Sequence, residues 1–379
     1  MRFRVERDVL AEAVAWAARS LPARPPVPVL AGLMLSADTD AAGRLVLSSF
    51  DYEVSARVEI TADVTEPGVA LVSGRLLADI TRSLPARPVE VATDGAKVVV
   101  TCGSSRFTLL TLPVEDYPTL PEMPGASGSL RGDLFAAAVG QVSIAAGRDD
   151  TLPVLTGVRL EIEAEKITMA ATDRYRLAVR DLAWTPEQAG LSAIALVPAR
   201  TLADTAKSLA SADKVTVALA SGGTGEGLVG FEGSGRRTTS RLLDGEFPKY
   251  KSLLPAESAS VATVETAGLV ESVRRVALVA ERNTPIRLSF SGGEVTLEAG
   301  SGDEAQASES LDAGLTGDDI SIAFNPAYLL DGLGVLDAAY AELRFTASTR
   351  PAVIAGKDSV DATAGDDYRY LLMPVRLSG

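Results

Sequence analysis

Apolar side chains recur along the chain with two periods. In "DVLAEAVAWAARSL" (8–21), Leu10, Ala13, Val14, Ala17 and Leu21 are three or four positions apart, which predicts a helix with one buried face and Asp8 at its N-cap. In "GRLVLSSFDYEVSARVEI" (43–60) apolar and polar residues alternate, which predicts strands. A second helix, "GRLLADITRSL", and a hairpin, "KVVVTCGSSRFTLLTL", follow.

The same order then repeats. "VERDVLAEAV" matches "LRGDLFAAAV", with Asp8 and Asp133 separated by 125; "VPVLAGLML" matches "LPVLTGVRL", with Leu30 and Leu155 also separated by 125. "VSGRLLADITRSL" matches "VPARTLADTAKSL" at the same offset, Arg75 to Arg200. A weaker third copy runs 128 behind the second: Arg159 corresponds to Arg287 and Pro198 to Pro326, with "ERNTPIRL" replacing the longer "AAGRDDTLPVLTGVRL". Turn-rich joints, "PEMPGASGS" and "PAESASVAT", place the boundaries. The expected fold class is therefore α+β: three tandem copies of a two-helix, mainly antiparallel-sheet unit, over 1–125, 126–259 and 260–379.

Composition narrows the chemistry. The 379 residues include no histidine and a single cysteine, Cys102, which removes Ser-His-Asp and Cys-His catalysis and the usual zinc sites. Cys102, between "KVVVT" and "GSSRF", reads as a strand hydrophobe. No apolar run approaches the ~20 residues of a spanning helix, and "MRFRVERDVL" is too charged for a signal peptide, so a soluble cytoplasmic protein is expected. Net charge is −14, which alone argues against nucleic acid. The six predicted helices nevertheless sum to slightly positive, leaving the negative charge on sheets and loops.

The remaining motifs have plain structural explanations. "SGGTGEGLVG" lies between two strands and opens no helix, so it is a hairpin rather than a phosphate loop. Asp133 in "RGD" reads as a helix cap. The pairs Asp149-Asp150, Asp318-Asp319 and Asp366-Asp367 fall in predicted loops, where neighbouring side chains diverge, and read as solvated turns rather than a two-carboxylate active site. The expectation is a binding scaffold, not an enzyme, with no cofactor and no metal. One feature is unusual: Leu371, Leu372, Met373, Pro374 and Val375 are apolar within nine residues of the last position, where chains are ordinarily polar and frayed. They either complete a core strand or line a binding site.

The triplicated unit, "TDRYRLAV" (172–179), "DGEFPKY" (244–250), "AFNPAYLLDGL" and the closing "YRYLLMPVRL" together resemble the bacterial DNA polymerase III beta subunit family, the sliding clamps, in an actinobacterial style. The resemblance covers essentially the whole chain. It implies a head-to-tail homodimer whose six units close a ring around double-stranded DNA without reading its sequence, helices inside and sheets outside. A mildly positive wall within an acidic body would enclose a polyanion without gripping it. It further implies an apolar groove for short linear motifs of the polymerase III alpha subunit, the clamp loader, other polymerases and repair proteins, and no membrane partner. By matching position that groove comprises Leu155, Thr172, Arg176, Leu177, Pro248, Leu253, Asn325, Tyr328, Met373, Pro374, Val375, Arg376 and Leu377. Arg24, Arg75 and Arg200 match DNA-facing positions. At the dimer interface, the third unit's first helix with Leu278 is expected to meet the edge strand "SRFTLLTL", with Phe107, of the partner. Tyr175 stands where many relatives carry His, Ser252 where some carry a basic residue, Asn283 where some carry an aromatic, and Asp149 where a neutral amide is known. A variant clamp paralogue with altered groove specificity, and a monomeric protein-binding scaffold, are the alternative readings.

Overall fold

The computed structural model describes residues 1–39, 43–220, 227–280, 284–300 and 305–376. Six α-helices lie among them: α1 (Arg7–Ala17), α2 (Gly74–Ser83), α3 (Gly132–Ser143), α4 (Ala199–Ser208), α5 (Thr266–Val276) and α6 (Pro326–Gly334). The 125-residue repeat is visible in the elements, since α1 and α3, α2 and α4, and the 3-10 turns Pro28–Ala31 and Pro153–Thr156 each begin 125 residues apart. None of the described helices is long and apolar enough to cross a membrane.

The chain forms two compact units, one of Met1–Phe135, Thr185–Gln188 and Asp204–Leu242, the other of Ala136–Trp184, Ala189–Ala203 and Leu243–Gly379. The sequence repeats do not coincide with these units, because strands pair across the repeats. In the first unit, Val54–Thr61 pairs antiparallel with Arg236–Arg241, Ser240 opposite Val54, which extends one sheet to 14 strands. Its core is made where α1 (Leu10, Val14, Ala17) and α2 (Leu77, Ile80) cover alternate strand residues Leu33, Leu35, Leu45, Leu47 and Val58. Cys102 is buried there, as its strand position predicts. In the second unit, Arg176–Ala183 pairs with the final strand Tyr368–Leu372 within a nine-stranded sheet. A separate four-stranded sheet carries Ala307–Asp312 at one edge. Every pairing is antiparallel, as hairpin-connected alternating strands require.

One shared detail of the first two repeats is invisible to periodicity. The Asp51 carboxylate accepts the N–H of Glu53 (3.0 Å) and Val54 (2.7 Å), and Asp173 accepts those of Tyr175 (3.0 Å) and Arg176 (3.1 Å). Each turn places the next residue in left-handed backbone, Tyr52 at φ 75° and Arg174 at φ 80°. The two N–H bonds offset the cost of that conformation in residues other than glycine.

Several local expectations are corrected. Asp8 is not the N-cap of α1: Glu6 is, without a side-chain cap bond, because strand Arg2–Val5 leads straight into the helix and Asp8 pairs with Arg7 in the first turn. Asp133 likewise lies inside α3, bonded to the Leu134 N–H and paired with Arg131. The third repeat's first helix ends at Val276 and is followed by a 3-10 turn at Ala277–Val279, which carries Leu278; 281–283, including Asn283, lie outside the described residues. The strand Ser105–Leu112 is open along only part of its outer edge, because Thr111 and Leu112 pair with Val72 and Leu71. The strands Val215–Leu219 and Leu228–Gly233 flanking "SGGTGEGLVG" pair as a hairpin, while 221–226 lie outside the described residues.

Candidate functional site

The apolar C-terminal stretch divides at Leu372. Up to that residue it is core: Tyr370, Leu371 and Leu372 are buried, flanked on one side by Arg176–Ala183 and on the other by Ala352–Lys357. Beyond it the chain leaves the sheet and is held by two backbone bonds, Met373 N–H to the Tyr175 carbonyl (2.9 Å) and Val375 N–H to the Ala323 carbonyl (2.8 Å). Met373 is 40% and Val375 36% exposed, so an ordered backbone presents apolar side chains to solvent.

Beside it lies a cavity of about 680 Å³, large enough for a short peptide's side chains. Its centre is Arg176, only 4% exposed. The Arg176 guanidinium donates to Asp173 Oδ2 (2.9 Å) and Asp331 Oδ2 (2.5 Å), and lies 4.3 Å from the centre of the Tyr328 ring. Burial would disfavour its charge, but the hydrogen bond it donates to Asp331, with Tyr370 and Asp173, holds its pKa above the ordinary arginine value. Tyr328 stacks on Tyr175 with ring centres 6.3 Å apart. Tyr328 is positioned by α6, whose N-cap Asn325 accepts the N–H of Ala327 and Tyr328 through its side chain, and by Tyr370, whose hydroxyl donates to the Tyr328 carbonyl (2.8 Å). Gly332 lets α6 approach this closely: a Cβ there would lie 2.3 Å from the Tyr370 ring.

Of the expected groove residues, Leu155, Arg176 and Tyr328 line this cavity. Thr172 supports it from beneath, its hydroxyl donating to the Arg176 carbonyl (2.6 Å). Leu177 is 1% exposed and packs with Phe247, Tyr250 and Leu371, a core position under the site. Pro248 and Leu253 are exposed on the segment anchored by those two aromatic rings, and Leu253 is 51% exposed. Lys251 fixes the same segment by its 2.7 Å bridge to Glu161, which Arg159 also binds. Pro374 is half-buried and Arg376 exposed; Leu377 lies outside the described residues. Sequence reasoning missed the cavity residues Arg148, Leu152 and Asp331; Tyr175 it noted only as a departure. Asp331 is 155 residues from its partner Arg176, a separation no motif spans.

The other expected positions are also placed. Arg75 and Arg200 are exposed in the first turns of α2 and α4, where the helix dipole adds positive potential. Arg75 also donates to the Pro22 carbonyl (3.1 Å), near the exposed Arg24. Phe107 is half-buried against the first core, on the part of its strand whose outer edge is open; Leu110 on that strand is 71% exposed and Leu278, after α5, 84%. The acidic pairs form no dyad with one another's help: Asp149 bonds Thr151, Asp366 pairs with Arg344 and Asp367 with Arg180. Among the described residues there is no group of acidic or cysteine side chains able to hold a metal.

A repeated two-helix unit on antiparallel sheets is the architecture of the DNA clamps, and the solved structures agree. A sliding clamp of Pseudomonas aeruginosa bound to griselimycin has a TM-score of 0.91 at 29% identity, and that of Bacillus subtilis 0.90 at 26%, both chains covered fully in each case. Residues 1–121, 129–249 and 251–376 match the N-terminal, central and C-terminal domains of the DNA polymerase III beta subunit. The beta sliding clamp of Streptomyces coelicolor is 66% identical over 100% of both chains, and the beta sliding clamp homolog GriR of Streptomyces muensis 50% identical over 99% of both. This chain belongs to the DNA polymerase III beta subunit family, the non-catalytic beta sliding clamps of DNA replication.

Proposed function

We propose that two copies of this chain join head to tail into a six-unit ring that encircles duplex DNA, and that the cavity beside Arg176 continues into a groove for short linear motifs of its partners. The three units are 1–125, 126–259 and 260–379. The open edge strand with Phe107 and Leu110 on one copy and Leu278 on the other form the interface, since an apolar open edge left in solvent invites indiscriminate pairing. Arg24, Arg75 and Arg200 face the DNA and contribute screened, sequence-independent phosphate contacts. The polymerase III alpha subunit, the clamp loader, other polymerases and repair proteins bind through the groove. The protein works in the cytoplasm, carries out no reaction of its own and needs no cofactor.

The observation that carries the groove is the tail itself: backbone held at Met373 and Val375 while their side chains stay exposed beside a cavity lined by two tyrosines and by arginines and aspartates in equal number. Apolar walls with a few fixed polar groups are what an extended peptide needs. The test is Met373→Ala with Pro374→Ala, titrated with a polymerase-derived peptide. A loss of about 2–4 kcal/mol is expected if these are hot spots, roughly 30- to 700-fold in Kd, with an unchanged melting curve. Unchanged affinity with a lowered melting point would make the tail a structural strand end and nothing more.

A further inference from the structure

A second cavity, of about 610 Å³, lies on the sheet of the first unit, on the face turned away from α1 and α2. Its floor is set by strand register. Reading across the strands, Glu232 lies opposite Arg237, Arg237 opposite Arg57, and Arg57 opposite Ser48. Two arginines directly opposed on neighbouring strands repel one another, so the row is unfavourable unless each finds an anion. Arg237 has one, with Nη2 3.0 and 3.1 Å from the two Glu232 carboxylate oxygens. Asp38 and Glu59 lie 3.6 and 3.9 Å from Arg44. Among the described residues the Arg57 guanidinium has no hydrogen-bond or ion-pair partner, although the residue is half-buried in the cavity wall. Around it are hydroxyls: Ser48 is buried, and the Ser55 and Thr239 side chains bond each other at 2.6 Å. Facing it are Val46 on the sheet and Leu120 and Met123 on the segment that follows the first repeat's last strand, an apolar wall at whose outer rim the Glu122 side chain is exposed.

The geometry points to a second docking site here, for a carboxylate side chain of a partner polypeptide flanked by an apolar residue. A half-buried guanidinium on rigid strands recognises a carboxylate through paired N–H donors. One uncompensated cation accommodates one such group. The cavity is several times the size of an inorganic oxyanion, and the wall formed by Val46, Leu120 and Met123 would go unused by one, so a peptide carrying both chemistries fits better than a free ion.

The probes are acetyl-Leu-Asp-Leu-amide, its Asn counterpart and inorganic phosphate, each titrated into full-length protein labelled at the methionine methyls. Met123 reports this cavity, and Met373 reports the tail groove in the same spectrum, so the two sites are read separately. The expected result is a saturable shift of Met123 with the Asp peptide, weakened about tenfold or more by Asn in the peptide or by Arg57→Gln in the protein. Arg57→Gln removes the opposed cation, so the melting temperature should not fall and loss of binding is not loss of fold. The proposal is overturned if Met123 does not respond to the Asp peptide, if its response survives Arg57→Gln, or if phosphate saturates it as tightly as the peptide does.

Discussion

Arg176 is the buried cation on which the groove is built, and its two carboxylates differ in a way that fixes the cost of losing each. The Asp173 side chain is 13% exposed and supplies three bonds, to the Arg176 guanidinium and to the N–H groups of Tyr175 and Arg176; the Asp331 side chain is 43% exposed and supplies one. Asp173→Ala therefore leaves the shielded Arg176 donors unmatched and removes the turn that supports Arg174 in left-handed backbone. A loss of about 3–5 kcal/mol is expected. Asp331→Ala removes one charge-assisted bond made by a carboxylate that water already reaches, worth about 1–2 kcal/mol. The double variant leaves a buried guanidinium with neither carboxylate, so its cost should exceed the sum by about 1 kcal/mol. The assay is urea denaturation followed by tryptophan fluorescence. The chain has two tryptophans, and Trp16→Phe leaves Trp184, buried in the same compact unit as the groove, as the sole reporter. An Asp331→Ala loss equal to or larger than that of Asp173→Ala would refute this ordering, and strict additivity would refute the coupling.

Three further outcomes are expected. Burial would raise the Glu161 pKa, but hydrogen bonds from Lys251 and Arg159 hold it below the ordinary 4.5; its contribution is complete above pH 4.5 and is lost as pH falls toward the lowered folded value. Melting temperature between about pH 5 and 3 should therefore drop more steeply in the parent than in Glu161→Gln, and parallel curves would contradict this. Leu278→Asp should convert a dimer into a monomer by light scattering with unchanged circular dichroism, and a dimer that persists would place the interface elsewhere. Arg24→Ala, Arg75→Ala and Arg200→Ala combined should weaken salt-dependent DNA association while the dimer stays intact, whereas tight sequence-specific binding to linear DNA would require base readout instead.

Much of this was legible in the chain because duplication is a strong signal. The offset of 125 between Asp8 and Asp133 and between Arg75 and Arg200 locates four helices in the sequence, and the matched segments around Leu30 and Leu155 prove to be equivalent 3-10 turns. What remained hidden depends on pairing between distant residues. That Val54–Thr61 continues into Arg236–Arg241, and Arg176–Ala183 into Tyr368–Leu372, is set by which edges meet, and local periodicity carries no information about that. The same limit hid Asp331, whose carboxylate reaches Arg176 only because α6 packs on the last strand through Gly332. Helix capping failed for a nearer reason: Asp8 has the right chemistry, but the strand ending at Val5 fixes the N-cap at Glu6, two residues before it.

The ring is tested most directly by retention on DNA of different topology. Protein placed on nicked circular DNA with the proposed clamp loader present should stay bound through a wash at high salt, which screens phosphate contacts but leaves a topological link intact. Cutting the circle once should then release it from the free ends. Equal retention on circular and linear DNA, or loss from both at high salt, would contradict an encircling clamp.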